Sequence, residues 1–445
     1  MIEPASSGVL RLIEEGAQPT FRGRVELVSG VLVEARGVPA AVGEVCRIAR
    51  DPREGGFVDA EVVGFRGANT LLMPHGSLEG IAPRQLVTAT GHPFRCPVGD
   101  ALLGRMVDGF GRPIDDGGGL ERTELRAVSR EAPPAWSRRP IEEPLQTGVR
   151  VVDGLNTLGR GQRIGIFAGS GVGKSTLLAQ ITRGTDADVV VTCLVGERGR
   201  EVRAFADGVL AARGRERSVL VVATSDRSPI ERFLAPFVAV TIAERFRDDG
   251  KDVLLVMDSV TRFALAAREI GLAAGEPPAV RGFPPSFFAI VPKLCERMGR
   301  AGTRGSITGL LTVLLEADDA NDPVADTLRG LLDGHLFLSR EMAQAGRHPA
   351  VDVLGSLSRL MPELVSPEHS RAAARVRSWL AAHREGRDLI EVGAYRAGTN
   401  PDLDEAVLRM PLIEPFLRQS PRENSTFAET LEMLELVCSD FGGRA

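Results

Sequence analysis

Apolar positions along the chain fall into three patterns. Between residues 21 and 92, short β-rich segments follow one another: Arg24–Val28, Val31–Glu34, Glu44–Ile48, Phe57–Phe65, Thr70–Met73 and Leu86–Ala89. Turns rich in Gly, Pro or Asn separate them. Short strands at this spacing predict a small closed barrel. From Arg163 the pattern becomes continuous apolar runs alternating with helical stretches. The runs are Arg163–Ala168, Val189–Val195, Ser218–Thr224, Asp252–Asp258, Thr308–Leu315 and His335–Leu338. The helical stretches are Lys174–Arg183, Arg200–Ala212, Ile230–Asp248, Val260–Ile270 and Ser286–Met298. Strands without polar alternation, joined by helices, predict a mostly parallel sheet covered on both faces. Such sheets bind ligands beyond the carboxyl ends of their strands. Past about residue 370 the chain turns helical and rich in Arg and Glu, through Arg371–Arg384, Leu403–Leu408 and Thr426–Val437.

The expected organisation is a barrel over 21–92, an α/β core over 93–370 and a C-terminal helical domain over 371–445. Residues 91–150 hold many Gly and Pro and read as a leading strand and a long extended connection. Residues 1–20 carry one short amphipathic stretch, Val9–Glu15. It is too short to be stable alone, and reads either as a frayed end or as a docking helix for a partner.

The chemistry concentrates where a strand gives way to Ala168-Gly169-Ser170-Gly171-Val172-Gly173-Lys174-Ser175-Thr176 and then to helix-forming residues. Strand, Gly-rich loop and helix in that order make a phosphate-binding loop. Glycines let successive backbone N–H groups turn toward an anion, and the following helix points its positive end at the same place. Lys174 is placed to reach β- and γ-phosphates, and the Ser175 hydroxyl to hold Mg²⁺. The motif usually begins with Gly, where this chain has Ala168. Composition strengthens the reading. The chain has only three lysines, Lys174, Lys251 and Lys293, and every other basic residue is Arg. A lysine retained in the loop against that bias points to a compact charge that Arg cannot replace.

Two strand ends add carboxylates. Val253–Met257 runs into Asp258, the position from which a nucleotide enzyme holds a Mg²⁺ shell. The strand ending at Val195 delivers Gly196-Glu197-Arg198-Gly199-Arg200-Glu201. Glu197 is placed to orient or deprotonate a water; the alternative is a solvated charge cluster capping the next helix. Glu201 reads as a first-turn carboxylate favoured by the helix dipole. Arg359 follows a Ser-rich stretch, read as a loop, and is either a structural ion pair or an arginine finger supplied to a neighbouring chain.

Net charge is -5 and the chain has no long basic run, which gives no support for nucleic-acid binding. The five cysteines are scattered and form no C-x-x-C pair, so they read as reduced packing residues. No apolar run is long enough to span a membrane and the N-terminus lacks a signal pattern. The expectation is a cytoplasmic protein that meets the inner face of the membrane only through partners.

Taken together, Pro349–Ser358, Glu143–Gly148, Gly159–Arg163 and the loop itself resemble the α/β-subunit family of rotary ATPases. Ile166–Thr176, Asp258–Phe263, Gly275–Pro278, Gly282–Ser286, Leu332–His335 and Val392–Tyr395 resemble, within it, the ATPase of type III protein export, flagellar or injectisome. The resemblance covers nearly the whole chain, is weakest over 1–20, and makes Ala168 normal. It implies RecA-like cores in a homohexameric ring with a barrel collar, using ATP and Mg²⁺. By position it makes Glu197 the catalytic carboxylate, Asp258 the Mg-shell residue, Arg359 the finger, and Arg198 and Arg262 further phosphate contacts. The family commonly stacks a Tyr on adenine; this chain has His348, which can stack too. Implied partners are a peripheral-stalk-like regulator, a central-stalk-like protein, the export gate and chaperone–substrate complexes, with no nucleic acid.

Two other readings compete. A subunit of a proton-linked rotary synthase is disfavoured because Glu197 and Arg359 lie in one chain. A nucleic-acid motor is disfavoured because the barrel segment offers only Phe21, Phe57 and Phe65 for base stacking.

Overall fold

The computed structural model describes residues 22–50, 56–120, 123–209, 214–302, 304–315 and 322–439. The predicted docking segment 1–20 lies outside them, as does the end of the helix expected over Arg200–Ala212. Two compact units are present, one built on the N-terminal 95 residues and one on most of the rest.

In the first unit, β1 (Arg22–Ser29), β2 (Leu32–Arg36), β3 (Glu44–Ala49), β4 (Phe57–Arg66), β5 (Asn69–Pro74) and β6 (Leu86–Pro93) close a barrel in the order β1-β2-β5-β4-β3-β6. Pairing of Arg22 with Thr88 and of Arg24 with Leu86 joins the last strand to the first. Alternate residues point inward, and Val25, Val33, Ile48, Val62, Leu72 and Val87 form the filling. The expected barrel is therefore present, with strand ends shifted by at most four residues.

The second unit holds a nine-stranded sheet. Its main strands are β7 (Met106–Asp108), β8 (Arg163–Ala168), β9 (Val189–Val195), β10 (Ser218–Ala223), β11 (Asp252–Asp258), β12 (Ser306–Leu314), β13 (Gly334–Leu338) and β14 (Val351–Ser358). They run in the order β14-β13-β8-β12-β11-β9-β10-β7, parallel except at β14. Every residue of β9 and β10 is buried, which is why these strands carry no polar alternation. Helices α1 (Arg150–Leu155), α2 (Lys174–Gly184), α3 (Gly199–Val209), α4 (Pro229–Asp248), α5 (Val260–Ala274), α6 (Pro285–Glu296), α7 (Pro323–Leu331) and α8 (Arg340–Gln344) accompany the strands.

Two strands go beyond the expected set. β7 falls in the stretch read as a leading strand and a connection, where no strand bounds were set, and adds an edge to the sheet beside β10. β14 arises from the segment read as a Ser-rich loop. Its serines are tolerated in a strand because their hydroxyls are internally bonded. Ser356 accepts from Phe337 N (3.0 Å) and donates to Asp352 O (2.6 Å), and Ser358 donates to Thr157 O (2.7 Å).

Helices α9 (Pro367–Glu391), α10 (Pro401–Leu417) and α11 (Phe427–Cys438) complete the unit. Thr426 and Glu429 form a capping box at the start of α11. These helices do not build a core apart. Val376, Trp379, Phe416 and Leu434 belong to the same hydrophobic cluster as Ile164, Leu178 and Leu310 of the sheet side. The buried helix α1 lies at the join, where a Cβ on Gly154 would meet Phe416 at 2.8 Å. Among the described residues no helix is long and apolar enough to cross a membrane.

Candidate functional site

β8 ends at Ala168, and the chain turns through Gly169–Gly173 before α2 starts at Lys174. Gly171 and Gly173 have φ of 79° and 91°, a region that a Cβ disfavours. Gly173 caps α2 without any side-chain acceptor, so the first N–H groups of the helix face the loop. Ala168 is fully buried, and its carbonyl accepts from Leu315 N at 3.0 Å, so the methyl sits in the strand and outside the turn. Arg340, which the sequence reading did not single out, donates to the Ser170 carbonyl at 3.3 Å.

Four of the expected side chains converge on this loop. Lys174 is 8% exposed and its Nζ touches the Asp258 carboxylate, with Glu197 Oε1 at 3.8 Å. Asp258 closes β11, and β12 lies between it and the loop strand β8. Thr312, on that intervening strand, donates to Asp258 Oδ1 at 2.8 Å. Glu197 leaves β9 through Gly196, whose φ is 68°. A Cβ on Gly196 would lie 2.7 Å from Arg262 Cδ, so the close approach of Arg262 depends on this glycine. From the first turn of α5, Arg262 donates to Gly196 O and lies 3.2 Å from Glu197 Oε2.

Burial pushes the Glu197 carboxyl above its ordinary range, helped by a hydrogen bond with Glu201 and by the charge of Asp258. Lys174 and Arg262 pull the other way. Glu201, held by the same bond and mostly in water, moves below its ordinary range. Glu201 is therefore a partner of Glu197 and more than a first-turn carboxylate.

The other expected residues lie apart from this cluster. Arg198 is 71% exposed and 3.8 Å from Glu201. Ser175 and Thr176 face a groove of about 650 Å³ that Glu201, Arg183 and Arg422 also line. His348 is exposed and borders a cavity of about 160 Å³ with Val172, Gly173, Thr176 and Pro421. Arg359 follows β14, and its backbone N–H donates to Asp333 O at the start of β13. Because β14 runs antiparallel, with Ser358 opposite Gly334, Arg359 sits at the opposite end of the sheet from the loop. β8 alone spans about 17 Å at 3.3 Å per residue. Arg359 cannot cover that length to reach its own loop.

The wall of the 160 Å³ cavity that the sequence did not reveal comes from the α10–α11 connection. Arg150 of α1 is buried, and donates to Phe416 O (3.2 Å), Arg418 O (2.5 Å) and Ser425 Oγ (3.1 Å). Gln180 of α2 donates to Ser420 O and Glu423 O, and Gln419 donates to Gly148 O. No sequence signal marks Gln419 or Pro421, which are about 245 positions beyond the loop in a polar stretch.

The oxygen donors Ser175, Glu197 and Asp258 suit a hard cation. No group of three or more His, Cys, Asp or Glu poised for a metal occurs among the described residues.

Comparison with known proteins fits this geometry. The model of the ATP synthase alpha/beta nucleotide-binding domain matches residues 148–358, that of the family's beta-barrel domain 25–91, and that of the T3SS EscN ATPase C-terminal domain 365–436. A type 3 secretion system ATPase of Xanthomonas euvesicatoria is 51% identical over 94% of this chain and 94% of its own length. The chain belongs to the type III secretion and flagellum-specific ATPase family. It is an ATPase of the ATP synthase alpha/beta class. A flagellum-specific ATP synthase of Pseudomonas aeruginosa is 47% identical over 98% of this chain and 97% of its own. The solved structure of the assembled ATPase EscN, from the type III secretion system of enteropathogenic E. coli, superposes with a TM-score of 0.88. It is 44% identical and covers 94% of this chain and all of that one. EscN has also been solved in complex with its central stalk EscO.

Proposed function

We propose that this chain hydrolyses ATP with Mg²⁺ to energise type III protein export, flagellar or injectisome, from a homohexameric ring in the cytoplasm. The loop N–H groups and Lys174 hold the β- and γ-phosphates. Ser175 and Asp258 hold Mg²⁺, which when bound neutralises charge on the β- and γ-oxygens. Glu197 orients and deprotonates the attacking water, while Arg262 keeps its carboxylate in place. His348 and Pro421 flank the base. Arg198 faces solvent and has no part in this reading. Like EscN with EscO, the ring takes a central-stalk-like protein. A peripheral-stalk-like regulator, the export gate and chaperone–substrate complexes follow from the family resemblance, and they bring the ring to the inner face of the membrane.

The observation that carries this reading is the separation of Arg359 from an otherwise assembled cluster. Lys174, Glu197, Asp258 and Arg262 meet within one chain, whereas Arg359 stands exposed at the far end of the same sheet. A finger that cannot serve its own loop serves a neighbour's, and each site then lies between two copies.

Complementation tests this. Lys174→Ala and Arg359→Ala are each expected to lose about a thousand-fold in turnover. Mixed at equal amounts and allowed to reassemble, they are expected to regain activity at about a quarter of the sites, where an intact loop meets an intact Arg359. A mixture as inactive as its parts removes the trans finger. Near-normal turnover by Lys174→Ala removes the loop assignment.

A further inference from the structure

The bridge between Lys174 and Asp258 passes over β12, the strand inserted between β8 and β11. Thr312 is the β12 residue beneath that bridge. It is paired in register with Ile166 of β8, is 0% exposed, and donates to Asp258 Oδ1 at 2.8 Å. Two residues further on, Leu314 N donates to Thr261 Oγ1 at 2.8 Å, which ties the turn after Asp258 to the same strand. Asp258 is thus gripped on one oxygen by Thr312 and Lys174, and the chain behind it is pinned by Thr261.

The other residues of β12 near this point are apolar. Leu310, on the same face of β12, and Ile166, opposite Thr312 on β8, are both buried, so the Thr312 hydroxyl is a polar group set in an apolar stretch of the sheet. A hydroxyl there costs desolvation unless it is bonded, and the bond it makes is to Asp258. Valine has nearly the same shape and would fill the space without that cost. The hydroxyl therefore has its use in Asp258.

We propose that Thr312 is a positioning residue that fixes the Asp258 carboxylate through Oδ1 and leaves Oδ2 oriented toward the divalent cation that arrives with the nucleotide. This rests on the assignment of Asp258 to the Mg²⁺ shell. Groups that orient a metal's ligands are worth 10- to 100-fold in metal affinity when removed, about the effect expected here.

The test uses the full chain and a fluorescent ATP analogue whose binding is followed as Mg²⁺ is added, with no turnover required. Thr312→Val is expected to raise the half-saturating Mg²⁺ by about 10-fold, while affinity for the analogue in EDTA stays at the wild-type value. Thr312→Ser, which keeps the hydroxyl, is expected to stay within about 3-fold of wild type. Thr312→Ala reads the same question with a smaller side chain should Val pack poorly. Wild-type Mg²⁺ dependence in either Thr312→Val or Thr312→Ala overturns the proposal, as does a Thr312→Ser variant as impaired as Thr312→Val. Asp258→Asn is measured alongside. If it shifts the Mg²⁺ dependence and Thr312→Val does not, only the role of Thr312 falls. If Asp258→Asn shifts nothing, the metal-shell assignment falls and takes this inference with it.

Discussion

The candidate site's charges lie at the two ends of the central sheet and are held in opposite ways. At the carboxyl ends, Lys174, Glu197 and Asp258 are each no more than 8% exposed, and Arg262 is clamped between Glu197 and Gly196. At the amino ends, Arg359 stands in water, with a carbonyl of Arg329 at 3.3 Å. The first set is neutralised within the chain and shielded from solvent. The second has little to hold it. A buried charge must be paired by its own fold, because an unpaired one costs several kcal/mol. A charge meant for another copy has to stay exposed until that copy arrives. The difference separates what one chain completes alone from what assembly adds.

The comparison predicts graded losses. At the buried end the largest effect beyond loss of the loop lysine comes from Glu197→Gln. It keeps the shape and removes the base, so nucleotide binding should persist while hydrolysis falls about 100- to 1,000-fold. A wild-type rate would mean another residue positions the water, and the buried cluster would lose its catalytic member.

A smaller effect separates Glu197 from an ordinary carboxylate. Its acidity is weakened by burial, by Glu201 and by Asp258. A base must be ionised to act, so turnover is full above the raised pKa and is lost as pH falls through it. The acid limb of kcat should thus lie above the usual glutamate range of about 4.3. Glu201→Gln removes one of the raising contacts, and the limb should move to lower pH. A limb that stays in place or moves upward would show that Glu201 does not act on Glu197.

The smallest effect is expected where the site opens to solvent. His348→Ala removes a stacking face from the cavity shared with Pro421, and should raise KM for ATP about 5-fold with kcat nearly unchanged. An unchanged KM would show that the base is held by the buried walls alone, Val172 and Pro349 among them.

How much was legible follows from range. The barrel strands and the main strands and helices of the core were placed to within a few residues, because periodicity and glycine are local signals. β14 was missed because serine reads as loop; antiparallel pairing with β13 makes it a strand, and the bonds of Ser356 and Ser358 to distant backbone satisfy their hydroxyls there. β7 could be placed only as a leading strand without bounds, because three residues carry no period, and it exists by pairing with β10. The loop, Glu197 and Asp258 stood out at strand ends, where an α/β sheet presents its ligands. Thr312 and Gln419 gave no signal, since a lone Thr in an apolar strand and a Gln in a polar tail are unremarkable until something packs against them.

The sequence by itself determined the classes of layer, the phosphate loop and the residue types of the site, because strand, helix and glycine preferences act within a few residues. Only the tertiary structure decided which groups meet. The insertion of β12 between β8 and β11 set Thr312 under the Lys174–Asp258 bridge. The antiparallel turn into β14 carried Arg359 to the opposite end of the sheet, and the shared core of α1, α10 and α11 brought Pro421 to the cavity beside His348. Each of these depends on strand order or on packing between segments far apart in the chain, which no local pattern encodes.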